Sequence, residues 1–163
     1  MDVLCLCPAY GNVPPGEGAT ESVHDPAKYA WLPKKFRYIL SDECVTVPIF
    51  YLGKHYASIR HAMEAAKYSH AGSHAYHRML QLAESSYAFT LNPIAASPPV
   101  KLKDGELKGW DEANARDAIY HATILQCPVR QQALLATQDA ILYGDNKFHF
   151  KNLERIRTLL RAT

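Results

Sequence analysis

Pro8, Pro14, Pro15, Pro26 and Pro33, with Gly11, Gly16 and Gly18 among them, interrupt the first 35 residues too often for a helix to propagate. Proline removes a backbone donor and fixes φ, and glycine favours bends, so residues 1–35 are expected as an extended arm. Tyr10, Tyr29 and Trp31 give the arm apolar anchors. Such an arm is held either by its own domain or by a neighbouring protein, on whose surface the aromatics would supply affinity.

From residue 36 the pattern changes. FRYIL and TVPIFYL, separated by the turn-forming SDE, are rich in aromatic and β-branched residues and predict two short strands, with Pro48 pushing the second toward a sheet edge. Helical spacing follows. Ser58 is an N-cap for a helix to about Tyr68, with Ile59, Ala62, Met63 and Ala66 on its buried side. A second helix is expected over Ala75–Ala88, then a long Pro/Gly/Lys loop over residues 92–109 that suggests a function or a partner. A third helix runs from Asp111 to about Gln126 with Ala115, Ala118, Ile119, Ala122 and Leu125 inward. Pro128 fits the first position of a fourth, carrying Leu134 and Leu135. Asn152 caps a last one, with Leu153, Ile156 and Leu160 at helical spacing. The expected class is mainly α (α+β): an arm over 1–35, then one helical domain over 36–163 with a small β element in front.

At 163 residues the chain is sized for one domain with a substantial core, and 48% hydrophobic with 21% charged residues is an ordinary globular composition. A net charge of +2 gives no strong nucleic-acid signal. No apolar run is long enough to span a bilayer, and MDVLCLCPAYG lacks the basic start of a signal peptide. Cys5, Cys7, Cys44 and Cys127 do not pair into a disulfide framework, so reduced thiols and an intracellular, reducing location are expected. C-x-C without a matching pair is a poor zinc pattern, and His70, His74 and His77 straddle the helix-breaking Ala71-Gly72-Ser73; no metal and no cofactor are expected. Gly16-Glu17-Gly18 lacks the strand-to-helix context of a phosphate loop.

The informative stretch is HYASIRHAMEAAKYSH, residues 55–70. At about 100° per residue, Arg60, Glu64 and Lys67 share an arc roughly 60° wide beside the apolar face. Charges there are either a solvated face, the ordinary reading of such a run, or the rim of a pocket for a small anionic ligand.

GKHYASIRHAMEAAKYSH resembles the signature segment of the NADAR family (NAD- and ADP-ribose-associated domains), in which a G-K-x-W/Y strand end leads into a helix reading S-x-E-H-x-x-Q-x-x-K-F/Y. Gly53, Lys54, Tyr56, His61, Lys67 and Tyr68 fit in register. Lys108-Gly109-Trp110-Asp111 is similar to the family's Trp before its next long helix, and ALLATQDAILYGD (133–145) resembles its L-L-x-T-G-x-x-x-L-x-E/H segment. The resemblance implies a NADAR-like helical domain and the cleavage of an N-glycosidic bond. The substrates would be riboflavin-pathway intermediates or ADP-ribosyl-guanine. Positive charge builds at the sugar C1 as the base leaves, so a carboxylate, an amine able to form a Schiff base and an aromatic ring are useful there. The resemblance assigns the amine to Lys67 and the stacking ring to Trp110, with Glu64 as the available carboxylate. Arg60, His61 and Asp145 are the ligand-binding candidates.

Three departures matter. Tyr143 occupies the register of the expected Glu or His after the L-L-x-T segment, with Asp145 two residues beyond. Arg60 stands where the family has its helix Glu, and Glu64 stands at the family's Gln, about 6 Å further along the axis. The family's later W-G segment is replaced by NKFHFKN. The expectation is a NADAR-derived module with a degenerate active site, a binding or structural subunit of a larger assembly. Its protein partners would be met through the arm and the 92–109 loop, and a nucleotide-sugar is a possible ligand. The alternative is an active N-glycosidase working through Lys67 and Glu64 on a ribosylated, phosphate-bearing base.

Overall fold

The computed structural model describes residues 1–47, 49–51, 53–67, 112–144 and 148–163. Pro48, the helix expected over 75–88, the 92–109 loop, the histidines at 70, 74 and 77, Trp110 and Asp145 lie outside them. The class is α+β. The chain forms two compact units, one of Met1–Ser41 with Ile124–Thr163 and one of Asp42–Thr123.

In the first unit the proline-rich stretch is part of the core. Strand β1 (Val3–Cys5) runs parallel to β4 (Ile141–Tyr143), with Leu4 opposite Leu142. Its other edge bonds Ser22, with Val3 N–H to the Ser22 carbonyl at 2.7 Å and Ser22 N–H back to Val3 at 3.1 Å. Leu4, Cys5, Leu6 and Cys7 form an unbroken buried run, the pattern of a segment covered on both faces. All four cysteines are free, buried thiols. Of the three aromatic anchors, Tyr29 is buried and Tyr10 lies under the Arg37 guanidinium; Trp31 stands 86% exposed.

FRYIL is not a strand. Phe36–Ile39 is the short helix α1, begun by a turn in which Phe36 N–H donates to the Pro33 carbonyl at 3.0 Å. The helical turn sends Phe36, Arg37 and Leu40 inward together, which an alternating strand would not do. Arg37 is fully buried and meets the equally buried Glu21 at 2.6 Å, donates to the Val13 carbonyl, and stacks on Phe36 at 4.4 Å. The Glu21 carboxylate also accepts the N–H groups of Cys5 at 2.8 Å and of Gly16 and Gly18 at 3.0 Å. The Gly16-Glu17-Gly18 loop therefore does cradle an anion, the chain's own. A Cβ on Gly18 would sit 2.9 Å from a Glu21 carboxylate oxygen, so glycine is required there.

After helix α3 (Glu112–Leu125) comes α4 (Pro128–Ala136), with Pro128 in its first turn and Cys127 Sγ accepting the Arg130 N–H at 3.5 Å. It ends at Thr137, and Gln138 takes a left-handed φ of 53°, at the position where the L-L-x-T-G pattern has glycine. Helix α5 (Lys151–Arg161) begins after Phe150 rather than Asn152, because the 148–150 segment is already committed to β4: Phe150 N–H donates to the Leu142 carbonyl at 2.8 Å. Leu153 and Ile156 are buried as expected. Arg157 takes the third buried place and Leu160 is half-buried; the Arg157 guanidinium donates to Thr137 Oγ1 at 2.8 Å.

In the second unit, β2 (Ile49–Tyr51) and β3 (Lys54–Tyr56) form an antiparallel hairpin whose two-residue turn uses Gly53 at φ 80°. Helix α2 (Ile59–Lys67) follows at once. The inward face of α3 is rotated from the alanine-rich stripe read in the sequence. Ile119, Tyr120, Thr123 and Ile124 are buried, while Ala118 and Leu125 are exposed. Thr123 tolerates burial because its hydroxyl donates to the Tyr120 carbonyl at 3.2 Å.

Glu21→Gln leaves the buried Arg37 charge uncompensated and should cost about 3–5 kcal/mol in urea unfolding; a loss under about 1 kcal/mol would show that the pair is not the organiser of this unit. Acid should act through Asp2. The Tyr29 hydroxyl at 2.5 Å, then the His24 ring at 2.8 Å and its backbone N–H at 3.1 Å, hold the Asp2 carboxyl well below the usual carboxylate range. The native state then binds fewer protons than the unfolded chain, so this contribution is present above about pH 4 and is lost as pH falls below it. The melting temperature of Asp2→Asn should accordingly fall less than that of wild type between about pH 4 and pH 2.5.

Candidate functional site

The hairpin and α2 place the sequence-predicted site. Its helix starts where expected: Ser58 Oγ accepts the His61 N–H at 3.2 Å, a side-chain N-cap. The Ser58 hydroxyl also pairs with His61 Nδ1 at 2.5 Å, and both residues are wholly buried. His61 thus fastens the first turn of α2.

Ile59, Ala62 and Met63 are buried, which fixes the rotation of the helix as its periodicity predicts. Arg60 stands beside that face. Its backbone N–H donates to the Asp42 carbonyl at 2.8 Å, and its guanidinium meets the Glu43 carboxylate at 3.0 Å, the two side chains 40% and 32% exposed. Glu64 and Lys67 belong to α2, but their side chains lie outside the described residues, as do Trp110 and Asp145 entirely. Of the six candidates, Arg60 and His61 are therefore the two whose contacts are defined.

Glu43 is the residue that sequence reasoning missed. It was read only as part of the SDE turn, and no local spacing links a turn residue to a helix residue so far along the chain. Nearby, Phe50 and His55 face each other across the hairpin with ring centroids 4.7 Å apart. Tyr56 is buried, and burial first, then Tyr51, pushes its phenol above the usual range, so it stays neutral. Among the described residues no group of three or more His, Cys, Asp or Glu is arranged to hold a metal ion, and no helix is long and apolar enough to cross a membrane.

This arrangement offers a half-exposed guanidinium at the start of a helix, joined to a carboxylate, next to a helix face defined by buried apolar residues. A guanidinium pairs with carboxylate or phosphate oxygens through its N–H groups, and here it pairs with Glu43.

No family model matches the sequence, and a search of curated proteins finds no significant match. Among solved structures the chain is similar to the NMR structure of the E. coli protein YbiA, at 17% identity and a TM-score of 0.50, over 77% of each chain. YbiA is a NADAR-family protein, and the similarity gives this chain a NADAR-like fold.

Proposed function

We propose that the chain is a NADAR-type module whose hydrolase is degenerate. It would bind a ribosylated, phosphate-bearing ligand at the start of α2 and serve as a binding or structural subunit of a larger assembly. The observation that supports this reading is Arg60, a permanent cation held beside the apolar face of α2 where the resemblance expects a carboxylate. In this reading Arg60 and Lys67 contact phosphate, His61 holds the helix that presents them, Trp110 stacks on the base and Asp145 meets the ligand's sugar. Lys67 and Glu64 are what remain of the catalytic set.

The energetics favour binding over turnover. Cleavage builds positive charge at the sugar C1, and a like charge about 4 Å away costs roughly 1 kcal/mol in water and several times that in a drier site. A slowing of about tenfold follows from that term alone, before the missing carboxylate is counted. The assembly role draws on Trp31, whose 86% exposure leaves a large aromatic free to enter a partner's pocket.

Wild type should show no turnover on ADP-ribosyl-guanine or riboflavin-pathway nucleotides, with Arg60→Glu restoring at most a trace. Ready turnover that disappears in Glu64→Ala and Lys67→Ala would instead make the chain an active N-glycosidase. For the assembly, wild type in its own cells should migrate well above monomer mass and Trp31→Ala should not; a monomeric wild type there sinks the subunit role.

A further inference from the structure

The Arg60–Glu43 pair joins two segments that sequence reading kept apart, and its geometry is specific. The Asp42 carbonyl accepts the Arg60 N–H at 2.8 Å, so the backbone that carries Glu43 is pinned to the first turn of α2. With the backbones tied, the two side chains meet at 3.0 Å without either being deeply buried. A pair that is 40% and 32% exposed is held weakly enough to open, since such contacts shift an equilibrium by only about 1.4- to fivefold. It also covers the guanidinium edge that an anion would use, because carboxylate and phosphate oxygens seek the same N–H groups.

We propose that Glu43 is the resident occupant of Arg60, an internal competitor that an incoming phosphate must displace. This rests on the reading of Arg60 as the phosphate contact. Glu43 then sets the affinity of the site: with the ligand absent it closes over Arg60, and with the ligand present it swings toward solvent, where its charge is hydrated. Displacement of a resident carboxylate weakens every anion that needs Arg60 by one common factor. Simple repulsion between Glu43 and the ligand would behave differently. It would grow with charge, weakening a terminal phosphate of nearly two charges more than a pyrophosphate that carries one per phosphate.

The test is calorimetric titration of the full chain, as wild type, Glu43→Gln and Arg60→Gln, with ribose 5-phosphate and with ADP-ribose as probes. Glu43→Gln should tighten both by the same factor, about 1.4- to fivefold, and Arg60→Gln should weaken both. Unchanged or weaker binding in Glu43→Gln, where wild type binds and Arg60→Gln does not, overturns the proposal while leaving Arg60 as the contact; Glu43 would then position the guanidinium. A gain clearly larger for ribose 5-phosphate than for ADP-ribose also overturns it, in favour of repulsion. Failure of both wild type and Glu43→Gln to bind either probe at millimolar concentration removes Arg60 as a phosphate contact, and the competitor with it.

Discussion

A carboxylate and a guanidinium, both withdrawn from water, stand behind the first unit. Burial of two charges is costly, and their attraction repays it only when the remaining donors and acceptors are also met. The carboxylate side meets that condition, while Arg37 Nε is buried with no hydrogen-bond partner among the described residues. The two Glu21 oxygens gather backbone N–H groups from Cys5, Gly16 and Gly18 and one nitrogen of Arg37. These come from the first strand, a proline-flanked loop and helix α1, so a single side chain ties together segments with almost no regular structure of their own. Arg37 extends the network to the Val13 carbonyl and covers Phe36 and Tyr10 with its planar face. A proline-rich stretch cannot build a long ladder of backbone hydrogen bonds, and here a buried ion pair supplies the order instead.

What was legible in the sequence was what local physics decides. The Ser58 cap, Pro128 at the start of α4, the Gly53 turn and the rotation of α2 each follow from residues within a few positions of one another. FRYIL was misread because a short apolar run has the same composition in a strand and in one helical turn. The inner face of α3 differs because alanine marks a face only weakly, whereas Thr123 can be buried once its hydroxyl donates within the helix. The partnership of Val3–Cys5 with Ile141–Tyr143 left no local trace, and neither did Glu43 at Arg60. Contacts between distant positions were the part that composition and periodicity do not carry.

The pairing at α2 also has an electrostatic logic of its own. The start of a helix presents unsatisfied N–H groups and a partial positive charge, and it favours anions. Arg60 sits in that first turn, which holds no acidic residue of its own. Glu43 brings a carboxylate to the same end from outside the helix, so one group answers both the macrodipole and the guanidinium. In the proposed reading, a ligand phosphate placed there would answer the same two demands.

The parallel pairing of β1 with β4 bears on how the molecule comes into being. Residues 3–5 find their strand partner only at residues 141–143, so this pairing waits for a segment far along the chain. A closure of such long range is slow, since loop entropy must be lost before any contact compensates. During that interval Leu4, Cys5, Leu6 and Cys7, all buried at the end, are open to solvent and to oxidants. A folding chain of this kind gains from protection of that apolar run until its distant partner strand has docked.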